Sequence, residues 1–156
     1  MLLLSDNEIQ LDIKNYERPE KRYNGEDESW ANVQWKIKNN VIEFDSSSYD
    51  MESCEVDILK EMIKDFIDGK FEEIKTFIPL ESAFKIIFYP KGNEYGCWLK
   101  DRNSKEFSIN PDIQLLINYI DVDGCIMDSY YSYFLEEREI KKFYNYLKDI
   151  TEKKEG

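Results

Sequence analysis

The sequence predicts an α+β fold in which two helices, over about residues 53–68 and 136–152, pack on a large curved antiparallel sheet of meander hairpins. Segments in which apolar and polar residues alternate indicate strands, whereas apolar residues that recur every three or four positions indicate the two helices. Short turns join the strand segments and favour antiparallel hairpins over parallel crossovers. The 156 residues suit a single domain, 1–156, since no Pro-rich or Ser-rich linker divides them.

Three strands are predicted before the first helix, over residues 7–16, 30–38 and 41–46. In the second strand the alternation places Trp35 on the inner face. The dipeptide Asn39-Asn40 predicts a two-residue turn because Asn tolerates a positive φ, and this turn would place Trp35 opposite Phe44. The polar segment 17–29 is the one loop long enough to do more than connect two strands.

The first helix has a clear apolar stripe and recognisable ends. Ser53 is the predicted N-cap residue, and Gly69 is predicted to end the helix because glycine readily adopts the left-handed conformation found after helix C-termini. The stripe predicted to face the core consists of Val56, Leu59, Ile63, Phe66 and Ile67.

Strand patterns return after the first helix. They cover 72–78 and 82–89, a return strand through Tyr95, Cys97 and Leu99, and an apolar pair at Phe107 and Ile109. Asp123-Gly124 then predicts a type I′ hairpin that places Leu116 opposite Tyr131. Both faces of this hairpin are largely apolar, so it is predicted to lie centrally in the sheet and to be covered on both sides.

The second helix follows this hairpin directly. Glu136 and Glu137 stand at its start, where the helix dipole favours acidic residues. Its predicted stripe consists of Ile140, Phe143, Tyr144, Leu147 and Ile150.

Composition and charge exclude several classes of function. The chain has 33 Asp and Glu against 21 Lys and Arg, so its net charge of −12 opposes binding to nucleic-acid backbones and anionic membranes. It has no His, which excludes Ser-His-Asp triads, Cys-His pairs and imidazole metal sites. The aromatic content of 15% is too high for a disordered chain.

No motif in the sequence indicates a metal or a cofactor. The glycines form no phosphate-binding loop. The segment Asp121-Val122-Asp123-Gly124 is superficially similar to a calcium loop, but its glycine comes fourth rather than sixth, and Ser132 stands where the final Glu belongs. The hairpin interpretation is therefore preferred, and we expect no metal and no cofactor.

The candidates for chemistry are equally weak, and the chain is predicted not to be an enzyme. Neighbouring carboxylates are expected by chance among 33 acids, and nothing marks one pair as buried. Cys97 has no adjacent base that would activate it as a nucleophile, so a strand cysteine is preferred. The run Tyr130–Phe134 has the rings to stack on nucleic-acid bases, but Asp128 and Glu136 flank it, so strand core is preferred.

The cysteines and the N-terminus indicate a reducing compartment. Three cysteines, an odd number without CxxC spacing, predict free thiols and no intramolecular disulfide. Residues 1–6 have no basic segment and only three consecutive Leu, which is neither a signal peptide nor a membrane span. The expected location is the cytoplasm.

Acid density is the remaining indication of function. Two groups at predicted turns stand out, namely Glu26, Asp27 and Glu28 in the long loop, and Asp121 and Asp123 at the hairpin. Such groups serve either as a solvated coat that maintains solubility or as a docking surface for a basic protein. We select these five carboxylates as candidate partner-binding residues.

Two segments carry a resemblance to a known family. The first is the acidic stretch before a Trp-containing strand, Glu26–Val33, followed by a Phe-bearing strand and an amphipathic helix that ends near Gly69; the second is Phe77–Phe84, with its Pro-Leu-Glu run before an aromatic residue. In these segments the chain resembles the immunity proteins of bacterial polymorphic toxin systems, in particular the WapI-type immunity family. The resemblance implies a non-enzymatic cytoplasmic inhibitor that binds a cognate toxin domain, often a nuclease.

Two other functions stay open at this stage. The main alternative is a small-ligand-binding or scaffold domain without a toxin partner, and a carboxylate-based hydrolase is a third. A neighbouring gene for a large secreted protein with a variable C-terminal domain would favour the immunity function.

Overall fold

The computed structural model of the chain describes residues 1–19, 29–46, 49–81, 83–90, 112–120, 123 and 125–153. These residues form the strands β1 (Leu2–Leu4), β2 (Ile9–Lys14), β3 (Trp30–Lys38), β4 (Glu43–Asp45), β5 (Tyr49–Glu52), β6 (Lys75–Phe77), β7 (Phe84–Tyr89), β8 (Asp112–Ile120) and β9 (Ile126–Leu135), and the helices α1 (Ser53–Ile67) and α2 (Glu137–Glu152). The α+β class is confirmed, and both helices begin and end within one residue of the predicted positions.

The described strands form two antiparallel sheets in place of the single large one predicted. The first sheet has the order β1-β2-β3-β4, with β5 also paired to β3, and the second has the order β6-β7-β8-β9. The helix α1 separates the two sets in the chain. Residues from the inner faces of both sheets and from both helices belong to one hydrophobic core. Alternation reveals which face of a strand is buried, but not which strands share a sheet.

The alternation in β2 and β3 predicts their burial correctly. Trp35 is 1% exposed and faces Leu11 of β2, as expected for the inner face. The strand β1 has no counterpart among the predicted elements. Leu2 and Leu4 are buried, and the turn after them places Ser5, Asp6 and Asn7 at positive φ. Three Leu are too short a run to reveal a strand by alternation.

The hairpin between β3 and β4 differs from the prediction by two residues. The Asn39 side-chain Oδ1 accepts hydrogen bonds from the N–H groups of Val41 and Ile42, at 2.9 and 2.8 Å. These bonds close a four-residue loop, an arrangement that Asn side chains stabilise. Ile37, and not Trp35, therefore faces Phe44. The Trp35 ring instead packs edge-on against Phe84 of β7, with 5.3 Å between centroids.

Both ends of α1 are well defined, although its N-cap is not the predicted one. Glu52 is the N-cap residue and forms a capping box with Glu55, so Ser53 is the first helical residue and not the cap. Gly69, at φ +72°, ends the helix as predicted. Four residues of the predicted stripe are buried, whereas Ile67 is 37% exposed; the buried ones are Val56, Leu59, Ile63 and Phe66.

The second sheet contains the predicted hairpin as the antiparallel pair β8 and β9, in a different register, and Gly124 of its predicted turn lies outside the described residues. Tyr131 faces Ile117 and not Leu116, and the register shifts again between Asn118 and Ile120. Of the two hairpin strands, β8 is central in the sheet and largely buried, whereas β9 lies at the edge and is mostly exposed. The prediction that the hairpin is covered on both sides is therefore wrong for β9. Tyr-rich strands tolerate exposure because each ring carries a polar hydroxyl. The strands predicted at 95–99 and 107–109 lie outside the described residues.

The helix α2 packs against α1 and presents its predicted stripe to the core. Its N-cap residue, Glu136, forms a capping box with Glu139. Ile140, Phe143 and Leu147 are buried, while Tyr144 and Ile150 are partly buried at the margin of the core.

Candidate partner-binding surface

The predicted partner-binding residues are only partly described. Asp123 lies exposed in the turn between β8 and β9, whereas Glu26, Asp27, Glu28 and Asp121 lie outside the described residues. The two predicted groups adjoin different parts of the fold. Tyr119, near the hairpin end, packs on Phe44, which pairs with the late part of β3. Ser29, which directly follows Glu28, stands before the start of β3, about 26 Å from Ile37, the partner of Phe44, at the usual rise per strand residue.

The two ends of the long acidic loop meet at Ser53. The backbone N–H of Glu17 donates to the Ser53 Oγ at 3.1 Å, and the hydroxyl groups of Ser29 and Ser53 lie 3.0 Å apart. The Ser53 N–H also donates to the Ser29 carbonyl at 2.8 Å. Ser53 is fully buried, so these bonds fix the entry to and exit from the loop at the N-terminus of α1.

Beside this junction lies an exposed aromatic ring with an acidic residue directly across from it. Trp30 is 39% exposed and faces Glu52 directly across the β3–β5 pair. Asp50 lies on the same face and accepts a hydrogen bond at 2.6 Å from the Asn32 side-chain amide. We call Trp30, Asp50, Glu52 and Glu55 the Trp30 surface.

Neutral donors hold the carboxylates of the Trp30 surface. Glu55 accepts from the backbone N–H groups of Glu52, at 2.9 Å, and Leu80, at 2.7 Å. Among the described residues, no Lys or Arg forms an ion pair with Asp50, Glu52 or Glu55. The positive end of the α1 dipole stabilises these charges without cancelling them. The surface therefore keeps its negative potential.

The arrangement suits a cation better than a reaction. A tryptophan face attracts guanidinium and ammonium groups, and carboxylates at its edge accept their hydrogen bonds. Lys14, at the end of β2, is exposed and pairs in register with Asn32 of β3, so it lies on the same face as Trp30. Within the described part of the chain, no group of three or more Cys, Asp or Glu side chains is placed to hold a metal ion.

Sequence patterns do not reveal a second polar cluster, which is centred on the buried carboxylate of Glu139. Glu139 is 5% exposed and accepts from the Ser5 N–H at 2.8 Å, the Tyr133 hydroxyl at 2.7 Å and the Glu136 N–H at 3.0 Å. Burial, together with the hydrogen bond to Glu139, raises the pKa of Tyr133 well above its usual value. This carboxylate joins the β1–β2 turn, β9 and the start of α2, so its role is structural.

A shallow cleft of about 300 Å³ lies beside Glu139. Its charged groups are engaged within the chain, because Arg138 pairs with Asp6 and Glu136, and the Lys142 ammonium donates to the Leu3 carbonyl at 2.7 Å. The cleft therefore has two cations, each of which also contacts a group of the chain itself. It is lined by Leu3, Leu4, Asp6, Asn7, Arg138, Glu139 and Lys142.

The remaining observations concern thiols, helices and relatives. Cys54 and Cys125 are exposed and free of disulfides, and Cys97 lies outside the described residues. No helix in the described ranges is long and apolar enough to cross a membrane. Comparison of the chain with family models, curated proteins and solved structures gives no match.

Proposed function

We propose that this chain is a non-enzymatic immunity protein of the cytoplasm that binds and neutralises a cognate toxin domain, a nuclease being the expected class. The observation that carries the binding role is the Trp30 surface, where an exposed indole faces Glu52 and no described Lys or Arg forms an ion pair with Asp50, Glu52 or Glu55. Glu26, Asp27 and Glu28 adjoin it in the sequence through Ser29. The family resemblance supports the toxin as the partner.

The expected partner surface is basic and contains at least one Arg or Lys at its centre. Aromatic anchors near the middle of an interface contribute most of its binding energy. Acids at the rim act mainly by steering a positive partner towards the site, and salt screens that effect. The net charge of −12 increases the steering of any such partner.

Binding to the toxin domain encoded beside this gene is the direct test. Trp30→Ala should raise the dissociation constant by more than about tenfold, as expected for an interface anchor, mainly through faster dissociation. Trp30→Phe, which keeps a ring, should lose less. Neutralising Glu26, Asp27 and Glu28 together should slow association and weaken its dependence on salt.

Two control sets separate this surface from a general effect of charge. Glu72→Gln with Glu73→Gln removes two exposed acids that follow the C-terminal end of α1, and that end lies about 22 Å from Glu52 along the helix axis. This pair should leave the association rate close to that of the wild type. Asp121→Asn with Asp123→Asn tests the hairpin group separately.

The outcomes of the binding experiments test separately whether the chain binds the toxin domain and whether the Trp30 surface is the interface. Tight binding that neither Trp30→Ala nor loss of the loop acids changes would place the interface elsewhere. Absence of binding between folded proteins at micromolar concentration would contradict the immunity function. The small-ligand-binding or scaffold alternative would then come first, with the cleft beside Glu139 as its site.

A further inference from the structure

The outer edge of β9 differs from the other sheet edges in the described residues. Three edge strands, β1, β4 and β6, have three residues each, and β5 has four. In contrast, β9 has ten residues, and β8 is the only described strand that pairs with it. Long edge strands with unpaired backbone groups tend to pair with another strand.

The sequence of β9 lacks most of the features that protect such an edge. It contains no Pro, Lys or Arg, and Asp128 is its only charged residue. The register irregularity opposite Asn118–Ile120 interrupts its first half. From Tyr130 to Leu135 the pairing with β8 is regular, so six uncharged residues form an uninterrupted edge.

This regular part is nearly palindromic. Tyr130-Tyr131-Ser132-Tyr133-Phe134 reads almost the same in both directions around Ser132. In the sheet, Tyr130, Ser132 and Phe134 lie on the outer face, in register with Asn118, Leu116 and Gln114 of β8. Tyr130 is 49% exposed, and Ser132 is exposed as well.

We propose that two copies of this chain pair antiparallel through β9, with a twofold axis at Ser132. In this register Tyr130 of each copy faces Phe134 of the other, and Tyr131 faces Tyr133, with side chains on the same face in every pair. Within the paired segment, from Tyr130 to Phe134, no charged residue faces the other copy; Asp128 lies outside it, opposite Glu136 of the other copy in this register. The contact is isologous, so it closes as a dimer and does not propagate into a fibre.

Ser132 provides a local reason for the position of the axis. Its Oγ is 2.8 Å from the Gln114 side-chain nitrogen and accepts that hydrogen bond. The Ser132 hydroxyl hydrogen is therefore available as a donor across the axis, where the two serines would face each other. Serine pairs of this kind add to the stability of a strand pair.

The mass of the full chain in solution, measured by light scattering and by sedimentation over a range of concentrations, tests the proposal. The wild type should form a dimer. Each copy carries a charge of −12, so higher salt should strengthen the dimer by screening the repulsion. Binding of a basic partner at the Trp30 surface has the opposite salt dependence, so the two proposals can fail separately.

Three variants locate the interface. Ser132→Lys places two ammonium groups across the axis and should weaken the dimer at least about tenfold. Ser132→Thr keeps the hydroxyl and should still dimerise. Asn40→Lys, which makes a charged substitution at an exposed loop position far from β9 in the sequence, is the matched control and should dimerise like the wild type.

Each result either supports or contradicts the proposal. A wild type that stays monomeric up to millimolar concentration in high salt would overturn it. A Ser132→Lys variant that still dimerises like the wild type would show that β9 is not the interface. Circular dichroism of each variant must match the wild type, and if Ser132→Lys does not fold, Tyr130→Glu replaces it, because Lys85 lies over the Tyr130 ring and can accommodate a carboxylate there.

Discussion

At the scale of single residues, the sequence pattern predicts which side chains are buried better than it predicts which residues they contact. Trp35 is buried as the alternation predicts, but its ring contacts Phe84 of the other sheet and not Phe44. Its backbone is fixed by Ser46, whose hydroxyl oxygen accepts from the Trp35 N–H at 2.8 Å. Among the described residues, the Trp35 indole N–H has no hydrogen-bond partner. Burial of the Trp35 ring therefore stabilises the fold, whereas burial of its indole N–H without a hydrogen-bond partner destabilises it.

Replacing Trp35 with Ala should lower the free energy of unfolding by about 3–5 kcal/mol, the usual loss for a large buried aromatic residue. The value should fall towards the lower end, because the substitution also removes a buried donor without a partner. Urea unfolding measures the loss, with Trp30→Ala on the exposed face as the control. A loss below about 1 kcal/mol, as at ordinary surface sites, would show that Trp35 is not part of the core.

Two tyrosines should make the fold sensitive to alkaline pH. Burial and a hydrogen bond to Glu139 raise the pKa of Tyr133, and burial raises the pKa of Tyr146. A raised pKa in the folded state leaves stability unchanged below the ordinary tyrosine pKa of about 10. Above that pH the unfolded state releases the proton more easily, so stability falls as the pH rises further.

The free energy of unfolding measured between about pH 8 and about pH 12 tests this expectation. Tyr146→Phe and Tyr133→Phe should each reduce the alkaline decline, and Tyr130→Phe on the exposed face is measured beside them. The Tyr133 variant should also be less stable at neutral pH, because Glu139 loses one of its three hydrogen-bond donors. An alkaline decline identical in all four proteins would contradict the assignment.

At the scale of secondary-structure elements, a helix end depends on residues adjacent in the sequence, whereas strand pairing depends on residues that are distant in it. The C-terminus of α1 forms a Schellman motif, in which the Lys70 N–H donates to the Asp65 carbonyl at 2.9 Å and the Gly69 N–H donates to the Phe66 carbonyl at 3.1 Å. The position of one residue, Gly69, is enough to predict this helix end from the sequence. Strand register instead depends on loop bonds such as those of Asn39 and on irregularities such as the one at Asn118–Ile120.

Replacing Gly69 with Ala should cost about 1–2 kcal/mol of stability, the penalty for an L-residue in the left-handed region. Gly69 has φ +72°, and no atom lies within 4 Å of an added Cβ, so the cost is conformational and not steric crowding by neighbours. Gly69→Asn should lose less, since Asn tolerates this region. Thermal unfolding of the three proteins checks the order Gly, Asn, Ala, and an Ala variant as stable as the wild type would contradict the motif.

At the scale of the whole molecule, the acidic charge and the packing of two sheets act together. The sheets and both helices share one core, while the outer faces carry the Trp30 surface and the β9 edge. A charge of −12 opposes association between copies at low salt and would steer any basic partner towards the chain. No disulfide joins Cys54 or Cys125, so within the described residues the fold depends on packing and hydrogen bonds.

The whole chain should contain three free thiols. Neither Cys54 nor Cys125 forms a disulfide in the structure, and the odd number of cysteines predicts a thiol at Cys97 as well. A thiol assay on denatured protein that has not been reduced gives the number directly. A value of one would reveal a disulfide and would contradict the expected reducing compartment.

The sequence by itself determined the α+β class, the extent of both helices, the inner face of β3 and the glycine that ends α1. Each of these depends on periodicity or backbone freedom within a few neighbouring residues. Only the tertiary structure decided that the strands form two sheets, that Phe44 faces Ile37, and that Ser53 joins the ends of the acidic loop. It also decided that Trp30 faces Glu52 and that Glu139 is buried, because these arrangements depend on contacts between residues distant in the chain, which a local pattern does not encode.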